Sequence, residues 1–108
     1  IEAALDAVEP GVTCETVEKA WRNTIKQYGL EKEDRIGYSV GLGYPPDWGE
    51  HTASIRPHDD TVLEEDMTFH MIPGIWTSDV GMETSETFRV TSTGAETLAD
   101  FPRDLFTA

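Results

Sequence analysis

Between residues 43 and 51 the chain reads Gly-Tyr-Pro-Pro-Asp-Trp-Gly-Glu-His, which gathers two carboxylates, Asp47 and Glu50, and the imidazole of His51 around Trp48. A carboxylate beside an aromatic face is a workable cradle for a delocalised cation such as an amidinium. The same residues also suit a rigid surface turn around a packed tryptophan. A second histidine, His70, lies in an alternating run from Met67 to Ile72 that predicts a strand. Strand parity puts His70 and Ile72 on one face, Phe69 and Met71 on the other. The run from Val80 to Thr91 predicts a long strand with Glu83, Ser85, Thr87 and Arg89 opposite Met82, Phe88 and Val90. A histidine and a carboxylate that face each other can share acid–base work once burial moves their pKa values toward neutrality. Periodicity alone describes a sheet with one solvated face equally well. His58 sits in a polar loop and reads as solvated, with no chemistry assigned to the nearby Arg56. Cys14 is the single cysteine, so no internal disulfide forms, and it reads as a buried thiol rather than a nucleophile.

The elements that must position these groups make an α+β pattern. Residues 1–8 read as the tail of a helix that Glu9-Pro10-Gly11 breaks. Thr13 is a fitting N-cap for a second helix running to about Tyr28, with Glu15 and Glu18 near its positive end. Val17, Ala20, Trp21, Ile25 and Tyr28 make one apolar stripe, and Gly29 supplies the stop. Trp21, Ile25 and Tyr28 are expected to be buried against one face of a curved, mainly antiparallel sheet. The segment from Ile36 to Leu42 is β-like, and 43–51 is expected to be an ordered loop, too rich in proline and aromatics for a linker. Ser92-Thr93-Gly94 turns the last strand back toward a short partner around Glu96 to Leu98. Residues 101–106 are apolar enough to dock.

With 108 residues, 38% hydrophobic and 27% charged, the chain has room for one domain with one modest core. Acidic residues outnumber basic ones 21 to 8, for a net charge of −13. Such a surface repels phosphate backbones and anionic lipid, which argues against nucleic-acid and membrane partners and admits a cationic or zwitterionic small molecule. No apolar run approaches the roughly 20 residues of a membrane span, and no secretory signal precedes the first helix, so a cytoplasmic location is expected. Ile1 is not a natural start, and the chain reads as part of something longer.

Four stretches carry a resemblance: 9–13 (Glu-Pro-Gly-Val-Thr), 37–41 (Gly-Tyr-Ser-Val-Gly), 61–69 (Thr-Val-Leu-Glu-Glu-Asp-Met-Thr-Phe) and 86–96 (Glu-Thr-Phe-Arg-Val-Thr-Ser-Thr-Gly-Ala-Glu). Their order and spacing resemble the C-terminal half of the pita-bread, peptidase M24-like family that holds methionine aminopeptidase, prolidase and creatinase. Residues 43–51 and 68–74 are most similar to its ectoine hydrolase branch. The resemblance implies half of a pita-bread fold, with helices on one face of the sheet and an active cleft on the other. It also implies that the family's metal-binding histidine is replaced by Tyr38, one glutamate by Ile72 and the last glutamate by Ser85, with Glu86 displaced by one residue. Isoleucine binds no cation, and neutral hydroxyls are poor ligands for a divalent ion. No metal and no other cofactor is therefore expected.

If positions 72 and 85 face the cleft, His70 and Glu83 face it too, so the resemblance casts this pair as catalytic. Tyr38, Asp47, Trp48, Glu50, His51 and Ser85 are then the candidate substrate-binding residues. Creatinase similarly hydrolyses a carbon–nitrogen bond without metal. The reading that follows is a fragment of a metal-independent hydrolase acting on a non-peptide C–N bond, an ectoine-like cyclic amidine or a creatine-like substrate, and inactive alone. The alternatives are a degenerate domain that binds a ligand or partner, and a metal-dependent Xaa-Pro peptidase. His70, Ile72, Glu83 and Ser85 are expected to line one concave surface with Tyr38. A homodimer joined through the sheet or its edge is also expected, because two copies can cover what one leaves open.

Overall fold

The computed structural model describes all of residues 1–108. Two helices, α1 (Glu2–Asp6) and α2 (Cys14–Lys26), precede seven strands: β1 (Gly37–Tyr44), β2 (Asp47–Ile55), β3 (Thr68–Met71), β4 (Gly74–Trp76), β5 (Gly81–Glu83), β6 (Glu86–Thr91) and β7 (Gly94–Thr97). Five of them form an antiparallel sheet in the order β2-β1-β3-β6-β7, while β4 and β5 pair as a separate ribbon. The α+β expectation holds.

Helix α2 starts where its cap is: the Thr13 hydroxyl accepts the Thr16 backbone N–H at 3.2 Å, satisfying a donor that the helix itself leaves unpaired. Its inward face is Cys14, Val17, Glu18, Trp21 and Ile25. These pack with Ala4, Leu5 and Val8 on one side and Phe69, Met71, Phe88 and Val90 of the sheet on the other. Tyr28 departs from the expected stripe and is 77% exposed. The helix ends at Lys26, and Gly29, at φ +75°, turns the chain away before another turn can carry Tyr28 inward.

Three further expectations need correction. The 43–51 segment is not a loop but the tip of the β1–β2 hairpin, in which Tyr44 pairs with Asp47 across Pro45-Pro46, a cis peptide bond. The prolines occupy the turn, where no ladder hydrogen bond is asked of them. The run from Val80 to Thr91 is two strands in two sheets. Glu83 pairs with Gly74, Glu86 pairs with Met71, and between them the Thr84 N–H bonds to the Pro73 carbonyl. Met82 accordingly stands 58% exposed rather than on a buried face with Phe88 and Val90. Finally, residues 101–106 do not dock through their apolar side chains: Phe101, Leu105 and Phe106 are exposed, and the segment is held instead by Arg103, which donates to Glu2 at 2.8 and 3.0 Å and to the buried Glu86 at 2.7 Å.

Candidate functional site

The helices cover one face of the five-stranded sheet, so the face that remains is set by strand parity. Phe69 and Met71 point to the core, and His70 of the central strand points away from it, flanked by its register partners Tyr38 on β1 and Thr87 on β6. The His70 and Tyr38 rings lie 5.6 Å apart, and His70 Nδ1 shares a 3.0 Å hydrogen bond with Thr87 Oγ1. His70 is half-buried, and burial pushes its pKa below the ordinary histidine value, against the pull of the nearby Glu83 and Glu86 charges. The imidazole is therefore neutral at neutral pH.

Beside Tyr38 the sheet is deformed. Between the pairs Tyr38–Ser54 and Val40–Gly49, β1 places one residue where β2 places four. This bulge carries His51 at φ +57°, a left-handed backbone that swings its side chain off the normal alternation. His51 Nε2 donates to Asp47 Oδ2 at 2.6 Å, and Asp47 Oδ1 accepts the Gly49 N–H at 3.1 Å. These two bonds, the histidine first, hold the Asp47 carboxyl below its ordinary range, so it is ionised at neutral pH. Trp48 Nε1 donates to the Tyr38 hydroxyl at 3.0 Å, fixing the indole against the phenol. Together Arg35, Tyr38, Asp47, Trp48, His51 and Ser54 enclose most of a hollow of about 220 Å³.

Not every candidate gathers there. Glu50 turns to the other side of the hairpin and accepts the Gly43 N–H at 2.7 Å. Ile72 and Glu83 line an adjoining hollow with Lys32, Asp34 and Trp76. Ser85 is exposed at the break between β5 and β6. The single concave surface expected for His70, Ile72, Glu83, Ser85 and Tyr38 is thus divided, because β5 leaves the main sheet and takes Glu83 with it. Glu83 still acts on His70 through its charge. Arg35, which lines both hollows, had no role in the sequence reading. Its one signal was position: it closes the charged run Glu-Lys-Glu-Asp-Arg at 31–35, just before β1.

Cys14 is fully buried and its thiol is pushed up to about 12, chiefly by burial, which makes it an inert core residue.

The model of metallopeptidase family M24 matches residues 1–92. The chain is 47% identical over 107 residues to the ectoine hydrolase of Halomonas elongata, covering 98% of this chain and 27% of that protein. It is 51% identical over 105 residues to a Sinorhizobium fredii protein named "Uncharacterized hydrolase/peptidase y4tM", covering 97% of this chain and 27% of the relative. Among solved structures, dipeptidase PepE from Mycobacterium ulcerans superposes with a TM-score of 0.85 at 31% identity, over 96% of this chain and 28% of its own. Prolidase from Pyrococcus furiosus gives 0.82 at 30%, over 94% and 30%. The chain spans about a quarter of the length of these curated relatives.

A metallopeptidase family implies a metal, and the donors in this chain can be tested for it. Ile72 has no donor atom, the Tyr38 hydroxyl is engaged by Trp48, and no three His, Cys, Asp or Glu side chains converge anywhere in the chain. The side chains present do not make up a metal centre among themselves. The matching folds, the family model over 92 residues and the identity to M24-type hydrolases lead to one conclusion: the chain belongs to metallopeptidase family M24 and has the architecture of part of the pita-bread prolidase domains.

Proposed function

We propose that this chain is part of a hydrolase that opens a non-peptide carbon–nitrogen bond in a small cyclic amidine without using a metal. The observation that carries this reading is the make-up of the sheet face turned away from the helices: Tyr38, Ile72 and Ser85 stand at the family's metal-ligand positions, while a neutral His70 lies against Tyr38 and an ionised Asp47, hydrogen-bonded to His51, lies nearby. The 47% identity to an ectoine hydrolase supports the substrate class, since ectoine is a cyclic amidine.

Hydrolysis of an amidine adds water to the central carbon, breaks one carbon–nitrogen bond and leaves an amide and an amine. The water loses a proton as it adds, and the departing nitrogen gains one. His70 serves as the group that takes the first proton and returns it, because it is neutral and poised beside Tyr38. Glu83 favours the protonated imidazole while that proton is held. Asp47, kept anionic by His51, and the Trp48 face receive the amidinium. Glu50 and Ser85 are assigned no contact with it.

The test is turnover of ectoine by the full-length protein before and after exhaustive chelation. Turnover that survives chelation is the expected result. Turnover confined to Xaa-Pro dipeptides and abolished by chelation would overturn the reading in favour of a metal-dependent peptidase, and stable binding without turnover would leave a ligand-binding domain.

A further inference from the structure

The chain sets eight Lys and Arg side chains against twenty-one Asp and Glu. Five of the eight lie within 4.0 Å of a carboxylate: Arg22, Lys32, Arg56, Arg89 and Arg103. Arg35 does not, although Asp34 precedes it. The Asp34 carboxylate is held by Lys32 Nζ at 3.0 Å and by the backbone N–H of Arg35 itself at 2.8 Å, and both bonds leave the Arg35 guanidinium free. That guanidinium sits 5.3 Å from the centre of the Tyr38 ring. It faces the hollow that holds Asp47, Trp48 and His51, and borders the one that holds Ile72 and Glu83. Asp47 in the first hollow has His51 as its hydrogen-bond partner, not Arg35.

An arginine left without a carboxylate in so acidic a chain, set over an aromatic ring and lining a hollow, is placed to receive an anion from outside. The surroundings limit which anion. A net charge of −13 and an ionised Asp47 in the same hollow oppose a phosphate dianion. A volume of about 220 Å³ is below the roughly 300–1,000 Å³ of drug-sized pockets and suits a small molecule. A guanidinium matches a planar carboxylate with two parallel hydrogen bonds. Resting on the hydrolase reading above, the geometry points to Arg35 as the residue that takes the carboxylate of a small zwitterionic substrate. The substrate's delocalised cation then lies toward Asp47 and Trp48. The hollow thus selects amidines that carry their own carboxylate over simple cationic amidines.

The experiment is calorimetric titration of the full-length protein with ectoine and with its carboxamide, for the wild type, Arg35→Gln and Arg35→Lys. The wild type should bind the carboxylate at least about tenfold more tightly than the carboxamide, the worth of a charge-assisted bidentate pair. Arg35→Gln should erase that preference while binding the carboxamide as the wild type does, which also shows that the variant is folded. Arg35→Lys should keep part of it. A preference that survives in Arg35→Gln, no preference in the wild type, or no binding of either compound overturns the assignment. Turnover measured alongside separates the two readings. Carboxylate-selective binding without turnover removes the hydrolase and leaves Arg35 standing, and turnover indifferent to Arg35 does the reverse.

Discussion

His70 stands on the central strand of the sheet, between an aromatic ring and a hydroxyl, where burial disfavours its charge. Two consequences follow from that direction. In the full-length protein, His70→Gln should lower kcat/KM by about 10²–10⁴, the usual range for losing an acid–base group, and an unchanged rate would remove His70 from the reaction. The second concerns stability. The folded pKa lies below the ordinary histidine value of 6.5, so the unfolded chain takes up the proton first as pH falls. Stability from this group is whole above 6.5 and is lost as pH drops toward the folded pKa. Urea unfolding at pH 7 and pH 5 should show a drop for the wild type that is smaller for His70→Gln. An equal drop in both would place the titration elsewhere. At this scale the sequence was partly legible. Asp47, Glu50 and His51 could be grouped around Trp48 from their spacing, although Glu50 turns to the other side of the hairpin. Arg35 did not stand out, because its freedom depends on Lys32 capturing Asp34 in space, which no spacing rule records.

At the scale of elements, α2 offers two separable tests. Thr13→Ala removes the bond that caps the helix and should cost about 1 kcal/mol in urea unfolding. Glu18 lies on the inward face of the same helix, fully buried. Burial raises its pKa, opposed by Arg22, whose guanidinium is 3.1 Å away but off the hydrogen-bonding line and also pairs with Glu33. A carboxyl raised in this way contributes most below its unfolded pKa and loses that contribution as pH rises through the folded value. Glu18→Gln should therefore gain stability relative to the wild type at pH 7 compared with pH 4. Chemical denaturation at both values decides it, and a relative loss at pH 7 would mean that the Arg22 pair outweighs burial. The two ends of the molecule differ in how much of this was readable. Thr13, Trp21 and Gly29 each act locally, and local signals announced α2 to within two residues. The alternation from Val80 to Thr91 is continuous in sequence, yet the hydrogen-bond partner changes from β4 to β3 in its middle. Parity carries a side chain across a sheet only while the strand stays in that sheet, so Glu83 and Ser85 were assigned a common face that the break removes.

For the whole molecule, the open question is what covers its apolar surface. Trp76, Val80 and Met82 on the β4–β5 ribbon, Leu42 and Tyr44 on the hairpin, and Leu98, Phe101, Leu105 and Phe106 beyond β7 are all exposed. The sheet also ends in two edge strands, β2 and β7. Exposed apolar patches above a few hundred Å² are uncommon on lone monomers, and free strand edges invite pairing. The charge of −13 works against self-association, but it is screened over about 10 Å at 0.1 M salt, whereas edge pairing and apolar contact act at touching distance. A two-fold pair lets each copy cover the other's open face with the same set of residues. The 108-residue chain alone should therefore form a homodimer through the sheet or its edge, burying well over roughly 1,000 Å² in total. Dimerisation should strengthen with added salt, because screening weakens the repulsion and leaves the apolar term. Sedimentation and small-angle scattering at high micromolar concentration provide the check. A radius of gyration staying near the 13.8 Å of one copy, at low and high salt alike, would mean that the exposed apolar residues are tolerated by the monomer.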